Sequence, residues 1–496
     1  MRIRIFINPS LLLVASCLAT GCSERDSSRT DPVIGPAIPV ADSETTSNPP
    51  SLSTAERATS SPEVEEGGAV VQYRTPQPDP QLNSKRLADA GIHVLESERL
   101  ILLTDRDPES VREIPVLADA LYRVLEQQCG VLRPEPSGTK FRAIGCLMSE
   151  MERFQAAGLV PNAVLDMRHG EQTGYRFWAR DQQTNYYRRH LVLHEFVHAY
   201  MTTDTVQGDV PSRWFLEGAA EFFATHSAST ESPEFGVIPT SFEGFEDWGR
   251  ISTIRRRRHD RPSEEINFQE LPSLNDVFNE ETGQGGEEGN YSWWWAIAWM
   301  LSEHPEYSAS WNRLCQCRGT AEFEHEMSEI MTTHGTRLRT DWLLFVESLS
   351  ETFDKARSFP VHHPVATSSQ TEISLSAERG WQDTGWEMMP GESVSLTCSG
   401  QCVLNETTGP WIAEPNGITL EYNQGCPIGE VVAVLVTSEG KKVSRRIKVG
   451  LNAQITATQP SRLWLQINDD AGSRSNNSGK YIVRIQSVIT QQSDRK

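Results

Sequence analysis

The sequence lacks any uninterrupted apolar run of the roughly 18 to 20 residues that a membrane-spanning helix requires. It is also short of basic residues, because 46 Lys and Arg stand against 67 Asp and Glu and give a net charge of -21. This balance argues against a protein whose whole function is to bind nucleic-acid phosphates. A length of 496 residues exceeds what one core organises and predicts two or three domains.

Aromatic side chains are absent between Cys22 and Tyr73, where Ser, Thr, Pro and Glu predominate. Such a segment cannot bury enough apolar surface to offset the entropy lost on ordering. We therefore expect residues 22–79 to form a disordered tether rather than a domain.

The N-terminus has the layout of a secretory signal peptide. Two arginines within the first four residues precede an apolar run over residues 11–15. Small residues then lead into Cys22, as in a bacterial lipobox whose cysteine is acylated; ordinary signal cleavage beside an incidental cysteine is the alternative. The layout predicts a signal peptide over residues 1–21 and an exported envelope protein, anchored to a bacterial membrane through a lipid on Cys22.

Seven cysteines follow the lipobox, and export makes disulfides permissible. Because seven is odd, at least one thiol stays unpaired or pairs with another chain. Cys129 and Cys146 are one candidate pair within a domain, but spacing alone leaves the connectivity open. A second candidate pair comes from the last three cysteines, Cys398, Cys402 and Cys426.

Hydrophobic periodicity divides the remaining chain in two. Residues 80–359 alternate strand-like and helix-like patterns, including a helix over residues 185–201 and a second helix begun by Pro211-Ser212. After residue 359 short alternating runs are separated by Gly, Asn and Pro turns. The fold class expected is α+β, with an all-β sandwich over residues 368–496.

The most informative residues are His194-Glu195-Phe196-Val197-His198. Helical residues four apart share a face, so both imidazoles can meet one ion while Glu195 reaches a water beside it. A zinc site of this kind needs a third protein ligand, and Glu217 follows His198 with 18 residues between them. Chance coincidence of surface residues is the alternative.

This pattern, continued as Glu217-Gly-Ala-Ala-Glu221, resembles the gluzincin metallopeptidases and is most similar to peptidase-MA-like proteins of the DUF1570 type. The resemblance implies a thermolysin-like zincin domain with an HExxH active-site helix over residues 80–359. It implies that His194, His198 and Glu217 bind Zn²⁺, that Glu195 is the general base, and that Glu221 orients a ligating histidine.

The same clan supplies an oxyanion donor from a later helix, and Tyr291 stands at the start of an apolar helix. The resemblance implies that its phenol stabilises the oxyanion, while core packing is the alternative. The Gly-x-Met-Glu-Asn signature by which the M1 exopeptidases hold a substrate amine is absent upstream of His194. Its absence favours an endopeptidase that cleaves a peptide or protein substrate.

Three segments of the expected sandwich, residues 380–385, 390–394 and 465–479, resemble the galactose-binding-like fold of the bacterial calcium-dependent galactophilic lectin. By position, the resemblance implies a Ca²⁺ site of hard oxygen donors, although a turn of this composition also forms without an ion. Its ligands would be Asp469, Ser473, Asn476 and Asn477.

A glycan is the corresponding partner, but only part of the sugar-binding pattern is retained. Gln424 matches a lectin residue, whereas Glu421 stands where the lectin has His. The sequence therefore favours an exported zinc metallopeptidase with a lectin-like sandwich. The alternative is a surface adhesin or glycan-binding protein whose zincin domain is catalytically inactive; nucleic acid is not an expected partner.

Overall fold

The structure is a computed structural model, which describes residues 72–77, 81–205, 209–227, 229, 231–239, 244–256, 268–269, 271–280, 286–405 and 409–488. Residues 70–496 form one compact unit. The predicted signal peptide and Cys22 lie outside the described residues. Within the described part of the chain, no helix combines the length and apolarity needed to cross a membrane.

The first part of the unit is a five-stranded sheet with strand order β1-β2-β3-β5-β4. Strands β2, β3 and β5 run parallel, whereas β1 and β4 are antiparallel edges. The elements are α1 (Ser84–Asp89), β1 (His93–Glu96), β2 (Leu100–Thr104), α2 (Ile114–Cys129), β3 (Ala143–Met148), α3 (Met151–Ala156), β4 (Gly170–Thr173) and β5 (Arg176–Arg180).

A mostly helical part follows and covers one face of this sheet. Its elements are α4 (Asn185–Thr203), α5 (Arg213–Ala224), α6 (Arg250–Arg256), β6 (Phe268–Gln269), α7 (Leu274–Phe278), α8 (Gly286–Glu303), α9 (Ser308–Gln316), α10 (Thr320–Ser348) and α11 (Lys355–Ser358). The two helices expected around residues 185–201 and 211–225 are confirmed as α4 and α5.

The C-terminal part is a sandwich of two antiparallel sheets. The strands are β7 (Gln370–Ser376), β8 (Gln382–Met388), β9 (Ser393–Leu404), β10 (Trp411–Ala413), β11 (Asn416–Asn423), β12 (Cys426–Thr437), β13 (Val443–Ser444), β14 (Ile447–Lys448), β15 (Asn452–Thr456), β16 (Ser461–Ile467) and β17 (Ser478–Val488). One sheet is built on β10-β9-β17-β7 and the other on β6-β13-β12-β16-β8. The expected α+β class with a β-sandwich is confirmed.

The sandwich shares its core with the helical part. Strand β12 is buried on both faces, because Val431, Ala433 and Leu435 pack inside the sandwich while Val432 and Val434 pack with the helices. Trp381 and Trp464 also belong to that helical core, and β6 pairs with β13 in the sandwich sheet. The two parts are therefore joined by a continuous apolar layer and a shared sheet.

Candidate metal centre

Helix α4 carries the two histidines of the motif. Its N-terminus is capped by Thr184, whose hydroxyl accepts a hydrogen bond from the backbone N–H of Tyr187. The sequence predicted a helix with one buried face, but α4 is buried on nearly every side, and His194 and Glu195 are only 6% and 5% exposed. The helix therefore lies inside the domain and reaches solvent through a cleft.

Helix α5 presents Glu217 to the two histidines, and its glycine sets the distance to α8. A Cβ at Gly218 would lie 2.7 Å from the backbone carbonyl oxygen of Trp294, too close for any other residue without movement. The Glu-Gly pair therefore lets α8 pack tightly against α5. This approach brings Tyr291, one turn before Trp294, to the same cleft.

Three ligand atoms of His194, His198 and Glu217 converge on one point. The two Nε2 atoms are 3.1 Å apart, and Oε2 of Glu217 lies 3.3 Å from His194 Nε2 and 3.2 Å from His198 Nε2. Three ligands held about 2.0–2.1 Å from one tetrahedral ion would be about 3.3 Å from each other. The triangle therefore has the dimensions of a three-ligand zinc site, and these residues form a group able to hold a metal ion.

The other ring nitrogen of His194 is occupied. Its Nδ1 lies 3.3 Å from Oε1 of Glu221, which itself is 3% exposed. A proton on Nδ1 leaves the Nε2 lone pair free to face His198 and Glu217, so this contact sets the tautomer that metal binding requires. The predicted orienting role of Glu221 thus has a matching geometry.

Arg250 of α6 completes this network and was not found by sequence reasoning. Its Nε and Nη2 each donate to one oxygen of Glu221, both at 2.9 Å. The guanidinium lies 6.0 Å above the ring of Tyr187 and 5.9 Å above that of Tyr291. A buried ion pair with two such hydrogen bonds fixes both the position and the orientation of the Glu221 carboxylate.

His190 is a second residue that the motif did not indicate. Its Nε2 lies 3.2 Å from Oε2 of Glu221, and with His194 these residues form another group of metal-ligand type. Arg250 already occupies the same carboxylate with a positive charge, so this second group disfavours a cation. Burial lowers the pKa of His190, which favours its neutral form.

The charges of the cluster follow from burial and mutual contact. Burial alone would raise the pKa of Glu217 and Glu221, but His198 beside Glu217 and Arg250 beside Glu221 hold both below their usual range. Burial would lower the pKa of His194, yet its contacts with the two glutamates raise it well above normal. Anionic carboxylates thus draw positive charge to this point, whether it arrives as protons or as a metal ion.

Glu195 packs against the edge strand of the sheet, and the charges of His194, His198 and Glu217 act on its carboxylate. A Cβ at Gly170 would lie 2.1 Å from Oε1 of Glu195, so the carboxylate packs directly on the backbone of β4. Only glycine leaves this room, and the sequence carried no sign of it. Burial raises the pKa of Glu195 despite the nearby histidines, which favours a group that can take up a proton.

Tyr291 lies beside the triangle, with its ring centroid 6.1 Å from that of His194. Burial, and then the negative charges of Glu217 and Glu221, raise the pKa of its phenol above the usual value. The hydroxyl therefore keeps its proton near neutral pH and remains a hydrogen-bond donor. The six residues predicted for this site all line the same cleft.

A cleft of about 2010 Å³ gives access to the cluster. Its lining includes the residues of the edge strand β4, and Pro211 and Arg213 before and within α5. The triangle, Glu195 and Tyr291 line the same cleft. The cleft exceeds the roughly 300 to 1,000 Å³ of ordinary small-molecule pockets.

The predicted calcium residues form a different arrangement in the sandwich. Asn477 donates from Nδ2 to Oδ2 of Asp469 at 2.8 Å, whereas Ser473 is exposed and makes no part of this contact. The Oδ1 atoms of Asn476 and Asn477 are buried without a hydrogen-bond partner. Arg474, to which the sequence assigned no role, is 1% exposed and donates to the backbone oxygen of Asp469.

Gln424, the residue retained from the lectin's sugar-binding pattern, contacts the helical part of the chain, whereas Glu421 is exposed. Nε2 of Gln424 donates to the backbone oxygen of Glu347 at 3.1 Å. Asp470, next to the predicted ligand Asp469, accepts from the Thr352 hydroxyl at 2.6 Å.

Comparisons with known proteins add little to this geometry. No protein-family model matches the chain, and no curated protein matches it. Among solved structures, the PllA-like lectin domain of EclA is 16% identical over 24% of this chain and 95% of its own, with a TM-score of 0.19. The IMPa metallopeptidase in complex with T-antigen is 12% identical over 78% of this chain, with a TM-score of 0.14.

A periplasmic inhibitor of g-type lysozyme from Aeromonas hydrophila is 10% identical over 27% of this chain and 98% of its own, with a TM-score of 0.14. The chain spans less than half of the metallopeptidase, 46%. Scores this low carry no argument about function, so the proposals below stand on the residues of the site.

Proposed function

We propose that this protein is a zinc metallopeptidase of the gluzincin type that hydrolyses peptide bonds within a polypeptide. The observation that carries the proposal is the triangle of His194, His198 and Glu217, whose three edges of 3.1–3.3 Å match the ligand spacing of tetrahedral zinc. Two neutral imidazoles and one carboxylate would leave the ion a net charge of +1 and an open position.

The residues around the triangle supply the other parts of a hydrolytic site. Zinc bound there would polarise the scissile carbonyl and lower the pKa of water. Glu195 takes a proton from the attacking water and passes it to the leaving amine. Tyr291 donates a hydrogen bond to the developing oxyanion, and the Arg250–Glu221 pair holds the ring of His194 in place.

The shape of the cleft supports a polypeptide substrate. Strand β4 lines the cleft and is the edge of its sheet, because among the described strands it pairs only with β5. Its free edge can pair with an extended peptide backbone, as edge strands do in other proteins. The cleft volume of about 2010 Å³ also fits several residues of chain.

The deciding experiment compares the wild-type protein with Glu195→Gln. We expect about one zinc per chain in both proteins, and hydrolysis of a casein-type substrate only in the wild type, because an amide cannot accept the water's proton. Glu152→Gln is the control, since Glu152 is an exposed carboxylate on α3 and does not line the cleft. Zinc without hydrolysis in the wild type would favour the adhesin alternative.

A calcium site in the sandwich is a second proposal, favoured by the two unpartnered amide oxygens. Oδ1 of Asn476 and Oδ1 of Asn477 are buried, and Asn477 contacts the carboxylate of Asp469. Oxygen atoms are the ligands that Ca²⁺ takes. Ser473 is the weakest member of the predicted set because its side chain is exposed. Glycan binding stays a prediction, and the contact of Gln424 with Glu347 argues against it.

Membrane attachment through Cys22 is a third proposal, resting on the sequence alone. Acyl chains on this cysteine would be the only apolar anchor after signal removal. We expect Cys22→Ser to appear in the soluble fraction, while the wild type sediments with membranes. Sedimentation of both proteins would contradict lipid anchoring at this position.

A further inference from the structure

The C-terminal ends of α2 and α9 bring two buried thiols together. Cys129 ends α2 and Cys315 lies in the last turn of α9, and both side chains are 1% exposed within the same core cluster. The seven described cysteines are all thiols in this structure. The question is whether this pair is placed for a covalent bond.

Contacts of the neighbouring residues fix the position of the end of α2 relative to the end of α9. The side-chain amide of Gln316 donates to the backbone oxygen of Gln128 at 3.4 Å. A Cβ at Gly130 would lie 3.8 Å from Cγ of Gln316. The residues before and after Cys129 therefore both contact the residue that follows Cys315.

Arg318 clamps the two backbones at the same place. Its Nη2 donates to the carbonyl oxygen of Cys129 at 2.6 Å, and its Nη1 donates to that of Cys315 at 3.4 Å. One guanidinium group thus holds both carbonyl groups. Its Nε also pairs with the buried Asp204 at the end of α4, so the joint is anchored to the helix that carries the metal ligands.

The other described cysteines have no comparable partner. Cys146, the candidate partner from sequence, packs on the other side of the sheet in a core cluster separate from that of Cys129. Cys398 and Cys402 are four residues apart on one strand, which at about 3.3 Å per residue separates them by roughly 13 Å, beyond disulfide reach. Cys426 packs in a different cluster from those two.

We propose that Cys129 and Cys315 form a disulfide bond in the exported protein, joining α2 to α9 behind the active-site helix. The two thiols lose two protons and two electrons and form one S–S bond. The electrons pass to the disulfide of an envelope thiol–disulfide oxidoreductase, which is reduced to its dithiol. The inference depends on export to an oxidising compartment and is independent of the zinc proposal.

The environment of the pair determines when the bond forms. Burial, and then contact with Cys129, raise the pKa of the Cys315 thiol well above its ordinary value, so little thiolate is present once the protein has folded. Cys317 remains half-buried and outside the pair. Oxidation therefore occurs while the chain folds, and the finished bond is shielded from reductants.

The test is differential alkylation of the full chain, purified from the envelope of an exporting bacterium. In denaturant without reductant, iodoacetamide should label Cys146, Cys317 and the three sandwich cysteines, but neither Cys129 nor Cys315. After reduction both should be labelled, and a non-reduced digest should contain one cross-linked peptide pair. Labelling of Cys129 and Cys315 without reductant would overturn the proposal.

A stability measurement separates this bond from any other. The wild type should melt several degrees lower after reduction in denaturant and refolding with reductant, because the bond closes a long loop of the chain. The double variant Cys129→Ala/Cys315→Ala should show no such difference between the two conditions. Cys146→Ala, which removes another buried thiol, should keep the full difference; its loss there would contradict the assigned pairing.

Discussion

Glu217 and Glu347 are both glutamates within helices of the same compact unit, but the groups that surround their carboxylates differ. Glu217 faces two imidazole nitrogens at 3.2–3.3 Å, so lone pairs meet lone pairs unless a cation or proton intervenes. Glu347 accepts from Arg446 at 2.6 and 3.1 Å and from the indole of Trp381 at 2.8 Å.

The difference shows how a binding site is distinguished from a structural contact. A buried carboxylate with a full set of donors is already satisfied and holds two parts of the fold together. A carboxylate oxygen that lies close to the lone pairs of two imidazole nitrogens is stable there only when a proton or a metal cation lies between them. Glu217 is of the second kind, whereas Glu347 joins α10 to the sandwich.

The largest effect is expected for Glu217→Ala. Removing one corner of the triangle leaves two imidazoles, and we expect the zinc content to fall from about one per chain to near zero. Metal analysis of the purified protein measures it. Glu171→Ala should retain its zinc, and a variant at position 217 with unchanged metal content would remove Glu217 from the ligand set.

Breaking the satisfied carboxylate should instead affect stability. Glu347→Ala leaves Arg446 buried without its partner, which costs about 3–5 kcal/mol of unfolding free energy for pairs of this kind. Denaturant unfolding measures it, and zinc content should be unchanged in the folded fraction. The exposed pair Arg484–Glu372, of similar length at 2.8 Å, is the control, and Glu372→Ala should change stability by less than about 1 kcal/mol.

The candidate calcium site is intermediate between the unsatisfied Glu217 and the satisfied Glu347. Asn476 and Asn477 have side-chain oxygens without a partner, but Asp469 already accepts a hydrogen bond from Asn477. An ion bound only by the folded form stabilises by about 2.7 kcal/mol at a hundredfold excess over Kd. We expect Ca²⁺ to raise the melting temperature of the full chain, and Asp469→Ala to abolish the shift. Ser475→Ala, an exposed neighbour, should keep it; a calcium-independent melt of the parent would leave the loop without an ion.

The smallest effect is expected for Arg250→Met, which acts on the metal through Glu221. Loss of such an outer contact weakens zinc affinity by about 10- to 100-fold. Competition with a chelator measures the change, and Arg250→Lys should recover part of it. Arg255 lies on the same helix but pairs with Glu351 at the surface, so Arg255→Met should bind zinc as the wild type does.

Some residues of the candidate metal centre could be predicted from local sequence patterns, whereas others are brought there only by the fold. His194, His198 and Glu217 lie on two helices with regular periodicity, so the sequence predicted that these three side chains come together. It did not predict that α4 is buried on nearly every side. Arg250 could not be predicted, because an irregular segment separates α5 from α6 and only the fold brings the guanidinium back. The role of Gly170 could not be predicted either, because it depends on the space beside the side chain of Glu195.

The sandwich was predicted by its alternating strands, but its union with the helical part was not. The run Val431–Val436 is continuously apolar, which is typical of a strand covered on both faces. That pattern indicates a second covering layer but does not identify it. The buried pair of Glu347 and Arg446 depends on residues 99 positions apart, for which a single sequence contains no pairing signal.

The pairing of β6 with β13 has a consequence for the order in which the protein assembles. Phe268 and Gln269 can pair with their partner strand only after Ser444 and Val443 have been synthesised. A chain that is synthesised from its N-terminus therefore contains α4 and α5 long before β6, ahead of α7, has a sheet to join. The fold is therefore completed by its C-terminal strands, and a chain truncated before residue 443 would expose an unpaired strand and an uncovered apolar layer.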